Sequence, residues 1–225
     1  MIQAVLFDFD HTLYDREKTI RAAAPELYEQ LRQFIRADVT KAQFSDALLS
    51  AEKSDAYYDN GYQGVLDELQ QQDIFTVKPT LEQYLEHFYP TMSKNIVVFD
   101  DTYAVLQTLK DHGYKVALLT NGKVKYQQEK LKYTRVPEYM DEIIICEQLG
   151  FQKPDPRTFL TMCQRLGVSA DRAVYVGDNM ICDIGGAAGA GLKTIWFPFA
   201  REWPAHLTPP DYTIASLSEI PDILA

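Results

Sequence analysis

The feature that most constrains this chain is a short apolar run near its start that ends in two carboxylates. Residues 3–9 (QAVLFDF) have the pattern of a strand that is covered on both faces. Asp8 and Asp10 stand two residues apart at its end, so in a regular strand they would share one face. Like charges at that spacing repel each other strongly in a low dielectric. The pair therefore predicts a neighbouring group that neutralises it.

The segment that follows, from about residue 15 to residue 95, has helical periodicity. Its apolar residues repeat at helical spacing in three stretches: Leu27, Leu31, Phe34 and Ile35; Phe44, Leu48 and Ala51; Leu81, Tyr84, Leu85 and Phe88. Thr40 and Thr80 each begin a Thr-x-x-Gln sequence, which is a capping-box pattern. Because so long an excursion is seldom a loop, we expect an all-helical domain over residues 15–96.

After about residue 97, helices and strands alternate. Helical patterns over 101–112, 124–132, 156–166 and 181–190 alternate with apolar strand patterns over 115–120, 142–146, 173–176 and 193–197. This rhythm predicts an α/β fold with a doubly wound parallel sheet. Residues 1–14 and 97–225 are then one core domain, interrupted by the helical insertion.

Composition excludes several classes of protein. The chain has 22 Lys and Arg against 32 Asp and Glu, a net charge of −10, and no dense basic run, which argues against nucleic acid as a partner. No tract is apolar enough to span a membrane, and the N-terminus lacks the basic lead of an export signal. Cys146, Cys163 and Cys182 are odd in number and far apart, so neither disulfides nor a zinc site is expected. A cytoplasmic enzyme or binding protein fits these features.

Polar residues follow each predicted strand, where open α/β sheets bind ligands. They are Asp8, Asp10 and Thr12 after the first strand, Thr120, Asn121 and Gly122 after the second, Lys153 in GFQKPDP after the third, and Asp178 and Asp183 in GDNMICD after the fourth. Taken singly, each has an ordinary explanation as a turn, a helix cap or a solvated loop residue. Their order, each at a strand end, favours one shared site.

The chemistry of these residues is consistent with phosphoryl transfer. Carboxylates without His or Cys favour a hard cation such as Mg²⁺, and such a metal implies an anionic substrate. The Thr120 hydroxyl, the amides after it and Lys153 form a suitable phosphate cradle. Asp8 is then a candidate nucleophile, and Asp10 a candidate general acid that later becomes a general base.

At these positions the sequence resembles the haloacid dehalogenase-like (HAD) hydrolase superfamily. Its four motifs are matched by DFDHT at 8–12, Thr120, Lys153 and GDNMICD at 177–183, and the helical insertion resembles the C1 cap of subfamily I. Two stretches of the sequence are similar to the nucleotidase and acylneuraminate-phosphatase-like subgroup: TNGKVKYQQEKL and, after it, FQKPDPRTF. The dehalogenases of the superfamily lack an acid at the position of Asp10, so the resemblance points to phosphate esters.

The resemblance implies a role for each matched residue. Asp8 would form an aspartyl-phosphate, Asp10 would protonate the leaving group and then activate water, and Thr120 and Lys153 would hold phosphoryl oxygens. Mg²⁺ would be bound by the Asp8 carboxylate, the Asp10 main-chain carbonyl and Asp178, while Asp183 would support the metal through water or position Lys153. Phosphate contacts are expected from Phe9, Thr12, Asn121 and Gly122.

The sequence thus predicts a Mg²⁺-dependent phosphatase of a small phosphorylated metabolite, such as a nucleoside monophosphate or a sugar phosphate, in a monomer or a homodimer. Two alternatives remain open: a phosphomutase, which returns the phosphoryl group to a sugar, and a binding module that keeps the fold without the chemistry. Substrate selection is expected in the helical insertion. Its tyrosines, including Tyr57, Tyr58, Tyr62, Tyr84 and Tyr89, are explained equally by stacking on a substrate and by helix packing.

Overall fold

The computed structural model describes residues 1–54, 56, 60–198 and 201–225. Tyr57 and Tyr58 lie outside the described residues. The chain divides into two compact units, one formed by Met1–Asp15 with Val98–Ala225 and the other by Arg16–Val97. Among the described residues, no helix is both long enough and apolar enough to cross a membrane.

The unit Arg16–Val97 is helical. Its described helices are α1 (Arg16–Gln30), α2 (Lys41–Glu52), α3 (Tyr62–Gln71) and α4 (Leu81–Lys94). Both predicted capping boxes are confirmed: the Thr40 and Thr80 side chains accept from the main chain of Gln43 and Gln83, whose side chains bond back. These reciprocal bonds satisfy amides that have no partner inside the helix, and so fix where α2 and α4 begin.

The predicted helical face packs as a core with one correction. Leu27, Leu31, Phe44, Leu48 and Phe88 are all buried in one apolar cluster. However, α1 ends at Gln30, so Phe34 and Ile35 do not continue it as the periodicity suggested. The Arg32 guanidinium donates to the Ile35 carbonyl at 2.9 Å, and Ile35 forms a bridge with Phe75.

The described tyrosines of this unit pack among aromatic rings. The Tyr62 ring lies 4.8 Å from that of Phe88 and 5.4 Å from that of Tyr89, centroid to centroid, and Tyr84 stacks on Phe88 at 5.1 Å. Aromatic pairs at these separations stabilise a helical core. The helix-packing explanation therefore accounts for the rings of Tyr62, Tyr84 and Tyr89.

The other unit is built on a parallel sheet, as predicted. Among the described residues its strands are β1 (Ala4–Phe7), β2 (Lys115–Thr120), β3 (Glu142–Ile145), β4 (Ala173–Gly177), β5 (Lys193–Trp196) and β6 (Tyr212–Thr213). They pair in the order β3-β2-β1-β4-β5-β6, and every pairing is parallel. The first strand in the chain therefore lies between β2 and β4, so the segments that follow these three strands come out side by side.

The helices of this unit follow its strands. They are α5 (Thr102–Asp111), α6 (Val124–Lys132), α7 (Pro156–Leu166), the short α8 (Gly186–Gly189) and α9 (Ile220–Leu224). The apolar stripe of α7, with Phe159, Met162 and Leu166, packs against Leu6 and Tyr175 on one face of the sheet. Every residue of β1 and β4 is buried, as expected for strands covered on both faces. The predicted doubly wound α/β fold is confirmed.

Candidate active site

The segments that follow β1, β3 and β4 bring four of the predicted residues together. Asp8 follows β1, and its amide donates to the Val176 carbonyl of β4 at 3.0 Å. The Lys153 ammonium donates to Asp8 Oδ1 at 2.6 Å and to Asp183 Oδ1 at 2.6 Å. Asp178 lies in the same group. We call these four residues the Asp8 cluster: Asp8, Lys153, Asp178 and Asp183.

Lys153 is fixed from several sides although it is almost fully buried. Its ammonium also donates to the Tyr175 hydroxyl at 2.8 Å, and that hydroxyl donates to the Leu119 carbonyl. The Asn121 side chain holds the main chain of Lys153 on both sides, accepting from its amide at 2.9 Å and donating to its carbonyl at 3.0 Å. A buried ammonium is stable only when it is paired in this way. Asn121 thus fixes the loop that carries Lys153.

The acidic members of the Asp8 cluster fit a divalent cation. Asp8, Asp178 and Asp183 each offer a carboxylate oxygen, and these oxygens lie within 4.8 Å of one another in a buried position. Oxygen ligands without nitrogen or sulfur are typical of Mg²⁺. Both oxygens of Asp183 already accept hydrogen bonds, from Lys153 and from the Asn179 amide at 2.9 Å. Asp8 and Asp178 are therefore the better direct ligands, with Asp183 in a supporting place.

A glycine makes room for this arrangement. A Cβ on Gly177 would lie 2.5 Å from Asp183 Oδ2 and 2.6 Å from its Cβ, which is too close for any side chain. The turn that carries Asp183 also differs from the prediction: Met180–Gly185 is a π-helical turn and only Gly186–Gly189 is α-helical. The Asn179 side chain accepts from the amides of Ile181 and Cys182, which holds the wider turn.

Burial and mutual repulsion dominate the electrostatics of the Asp8 cluster. Burial raises the pKa of Asp8 to about 8, against the attraction of Lys153 and with the help of the neighbouring carboxylates. Burial and the Asp183 charge raise the pKa of Asp178 to about 7. Burial alone would lower the pKa of Lys153, but Asp183 and Asp8 outweigh it and hold that pKa above its usual value. The cluster thus has an excess of negative charge that a cation would offset.

Asp178 also has contacts that the sequence did not predict. The Arg201 guanidinium donates to its carboxylate Oδ2 at 2.7 Å and to its main-chain carbonyl at 2.8 Å. The Trp196 indole donates to the same carbonyl at 2.9 Å. These bonds hold both the main chain and the side chain of Asp178.

Asp10 lies in different surroundings, among hydrogen-bond donors. The Lys130 ammonium lies 2.5 Å from Oδ1 and 2.7 Å from Oδ2 of Asp10. The Gln127 amide donates to Oδ2 at 2.9 Å, and the Tyr14 hydroxyl donates to Oδ1. We call these four residues the Asp10 group: Asp10, Tyr14, Gln127 and Lys130. It has one carboxylate for one ammonium, so it is balanced in charge.

The predicted phosphate-binding residues lie around these two groups. Thr120 ends β2 and its hydroxyl accepts from the Gln127 amide at 2.8 Å. Gly122 has φ of +111°, a left-handed conformation that turns the chain into α6. Phe9 and Thr12 are buried in the turn after Asp8, and no partner in the described part of the chain bonds to the Thr12 hydroxyl. That these residues contact phosphate stays a prediction.

Four residues of this site escaped the sequence analysis: Gln127, Lys130, Tyr14 and Arg201. The first two are in α6, seven and ten residues after Thr120, where they read as the polar face of an ordinary helix. Only their burial distinguishes them, since Gln127 is 3% and Lys130 is 7% exposed. Their spacing of three residues places them on one face of the helix, and both lie in the TNGKVKYQQEKL stretch that resembles the phosphatase subgroup.

Comparisons with known proteins show the family to which this chain is similar. The family model for haloacid dehalogenase-like hydrolase matches residues 5–197. A glyceraldehyde 3-phosphate phosphatase of Methanopyrus kandleri is 29% identical over 197 residues, which cover 87% of this chain and 83% of that protein. An N-acylneuraminate-9-phosphatase of Mus musculus is 35% identical over 136 residues, covering 60% of this chain and 54% of that protein.

A solved structure extends the similarity over the whole chain. The HAD phosphatase from Thermococcus onnurineus is 30% identical to this chain, with a TM-score of 0.67, and the match covers 100% of this chain and 98% of that one. The resemblance inferred from the four motifs is thereby confirmed. The chain is an enzyme that belongs to the haloacid dehalogenase-like hydrolase family.

Proposed function

We propose that this hydrolase is a Mg²⁺-dependent phosphatase that cleaves the monoester of a small phosphorylated metabolite. The observation that carries the proposal is the pairing of Asp8 and Asp10, two residues apart, with one in a metal-type carboxylate cluster and the other among donors. Two carboxylates with different surroundings are suited to two different roles in catalysis. The named activities of the relatives from Methanopyrus kandleri and Mus musculus support the same class of substrate.

In the proposed first step, a carboxylate oxygen of Asp8 attacks the phosphorus. The bond from phosphorus to the ester oxygen breaks, and the carboxyl group of Asp10 gives its proton to that oxygen, so that a neutral alcohol leaves. The Lys153 ammonium and the Thr120 hydroxyl are proposed to hold the phosphoryl oxygens. Asp8 and Asp178, together with the Asp10 main-chain carbonyl that the family resemblance implies, would hold Mg²⁺. The bound ion supplies charge neutralisation for the phosphoryl group.

In the proposed second step, water attacks the phosphorus of the aspartyl-phosphate on Asp8. The Asp10 carboxylate takes a proton from that water, the bond between Asp8 and phosphorus breaks, and inorganic phosphate leaves. Asp10 returns to its protonated form and Asp8 to a carboxylate. We further propose that the helical unit Arg16–Val97 selects the substrate, as the family resemblance implies.

The test is phosphate release from a panel of triose, sugar and nucleoside monophosphates, with and without Mg²⁺. Metal-dependent release that Asp8→Asn removes is the expected result. As a matched control, Asp46→Asn changes an exposed carboxylate whose nearest cation is 3.5 Å away, and it is expected to leave the rate unchanged. No release from any compound, even though the protein is folded, would overturn the proposal. Turnover of a sugar phosphate only with a sugar bisphosphate activator, and without net phosphate release, would identify a phosphomutase.

A further inference from the structure

We propose that Lys130 is a positioning residue for Asp10, holding the plane of its carboxyl group for proton exchange with the leaving group and then with water; the ion pair described here corresponds to the ionised form of Asp10 that follows the first step. This inference rests on the proposed function, because it assigns a partner to the acid of that reaction. Neither the four motifs nor the predicted site residues include Lys130.

The first observation is the geometry of the ion pair. The Lys130 ammonium bonds to both oxygens of the Asp10 carboxylate, at 2.5 and 2.7 Å. A contact with one oxygen would leave the carboxylate free to rotate about its last side-chain bond, whereas a contact with both limits that rotation. The two oxygens also accept from Tyr14 and Gln127, one each. The plane of the Asp10 carboxylate is therefore fixed by donors on both sides.

The second observation is the environment of the ammonium. Lys130 is 7% exposed, and its ammonium lies 5.6 Å from the centres of the Phe9 and Tyr14 rings. A cation in such a position loses most of its hydration, which is costly unless a charge and polarisable rings replace the water. Lys132, two residues later in α6, instead extends into solvent and pairs with Glu129. The helix thus carries both a buried and an exposed lysine, and the buried one faces Asp10.

The third observation is the attachment of α6 to the phosphate side of the site. Gln127 lies one turn before Lys130 and donates to both Asp10 Oδ2 and the Thr120 hydroxyl, at 2.9 and 2.8 Å. One face of α6 therefore contacts the proposed acid and a proposed phosphate ligand together. A shift of α6 would move Asp10 relative to the phosphoryl group, and misplacement of a reacting group by about 1 Å costs up to about a hundredfold in rate.

The experiment separates proton donation from other contributions by changing the leaving group. An alkyl phosphate releases a basic alkoxide that needs a proton, whereas 4-nitrophenyl phosphate releases a stable phenolate. With enzyme in excess, the rate of the first phosphoryl transfer is measured by rapid quench for both esters. Lys130→Met is expected to slow the alkyl ester about tenfold or more while the aryl ester changes little, since general acid catalysis contributes about 10²- to 10⁴-fold. Lys132→Met is the matched control and should affect neither ester.

A double-mutant cycle distinguishes positioning from a general structural effect. If Lys130 acts through Asp10, Lys130→Met causes no further loss for the alkyl ester when Asp10→Asn is already present. An equal loss for both esters, or a loss that adds fully to that of Asp10→Asn, would overturn the inference. Should Lys130→Met fail to fold, Lys130→Gln keeps a donor without the charge, and the same selective but smaller loss is expected; an unselective loss would again count against Lys130.

The outcome for Asp10→Asn alone separates this inference from the proposed function. A selective loss of the alkyl ester in Asp10→Asn, without one in the Lys130 variants, rejects the role of Lys130 and leaves the phosphatase proposal intact. No selective loss in Asp10→Asn rejects the role of Asp10 as acid, and the inference with it. Phosphate release that depends on Asp8 would still test the rest of the proposed function.

Discussion

Asp8 and Asp10 stand two residues apart, yet the regions around their carboxylates differ in charge and in donors. In the Asp8 cluster, three carboxylates lie around the Lys153 ammonium, and the Arg201 guanidinium donates to one of them, Asp178. In the Asp10 group, one carboxylate accepts from an ammonium, an amide and a hydroxyl. The negative charge of the Asp8 cluster thus needs an added cation to offset it, whereas the carboxylate charge of the Asp10 group is offset by the Lys130 ammonium. This difference suits a nucleophile held by metal and a proton carrier held by protein.

The largest expected effect in this comparison is on the Asp8 side. Asp8→Asn removes the charge of the proposed attacking oxygen, and we expect phosphate release to fall by at least about a thousandfold for alkyl and aryl esters alike. The measurement is steady-state release with saturating Mg²⁺ on both esters. A loss confined to alkyl esters would mean that the two carboxylates have exchanged roles.

The next effect concerns metal binding. Asp183→Asn removes a charge that supports Lys153 and the Asn179 amide, so we expect Mg²⁺ affinity to fall by about ten- to a hundredfold. Isothermal titration calorimetry on the metal-free protein measures this directly. Lys130→Met provides the contrast, since Lys130 pairs with the carboxylate of Asp10 whereas the metal is proposed to use its main-chain carbonyl, and its Mg²⁺ affinity should change far less than that of Asp183→Asn. Equal losses in both variants would break the distinction between the two regions.

A third prediction follows from the raised pKa values of the Asp8 cluster. In the folded protein without metal, the pKa is raised to about 7 for Asp178 and to about 8 for Asp8, from the ordinary carboxyl value of 3.8. At a pH between 3.8 and these raised values, the folded protein therefore binds more protons than the unfolded chain. Stability from these groups is therefore present below pH 3.8 and is lost as pH rises through about 7 and 8. Added Mg²⁺ should offset this loss, because it binds the ionised carboxylates.

The measurement is thermal unfolding in EDTA and in Mg²⁺ at pH 5.5 and pH 8. We expect the gain in Tm from Mg²⁺ to be several degrees larger at pH 8, a shift typical of a change of about 1–2 kcal/mol. Asp8→Asn should reduce that difference. A gain that does not depend on pH would show that the carboxylates are ionised in the metal-free protein.

The smallest expected effect tests the link between the two regions. Gln127→Met keeps the length of the side chain but removes the amide that bonds Asp10 and Thr120. We expect a loss of a few-fold in the first step for alkyl esters, because Lys130 and Tyr14 still hold Asp10. Gln128→Met, an exposed neighbour in the same helix, is the control. A rate loss as large as that of Lys130→Met would show that Gln127 contributes as much as Lys130 to holding Asp10.

Much of the fold was predictable because the strands are short apolar runs that end at polar residues. α6 and α7 have the predicted bounds, and β1 and β3 are only shorter than predicted. The edge strand β6 was missed because Tyr212–Thr213 is two exposed residues without an apolar pattern. The π-helical turn at 180–185 was missed because it depends on hydrogen bonds of the Asn179 side chain, and these leave no trace in the apolar pattern of the sequence.

The site was predictable where residues follow strands and was missed where they lie in helices or loops. Asp8 and Asp178 come together because β1 pairs with β4 in the parallel sheet, and the sequence predicted that sheet but not its strand order. Lys130 lies ten residues after a strand end, in a segment with several exposed lysines, and its burial depends on how α6 packs. Arg201 belongs to the chain after β5, where no periodicity indicates which cation returns to the sheet edge. The spacing of residues along the sequence does not show which lysine of α6 is buried or which cation after β5 contacts Asp178.

The central place of β1 also has a consequence for the time at which this enzyme becomes active during its synthesis. β1 is the first strand made, but its two partners are residues 115–118 and 173–176. At ribosomal speeds of about 5–20 residues per second, roughly ten to thirty seconds separate the synthesis of Asp8 from that of its neighbours on β4. Throughout that interval the nascent chain carries the Asp8 carboxylate without the residues that surround it in the finished enzyme. The Asp8 cluster can therefore be completed only after β4 has been made.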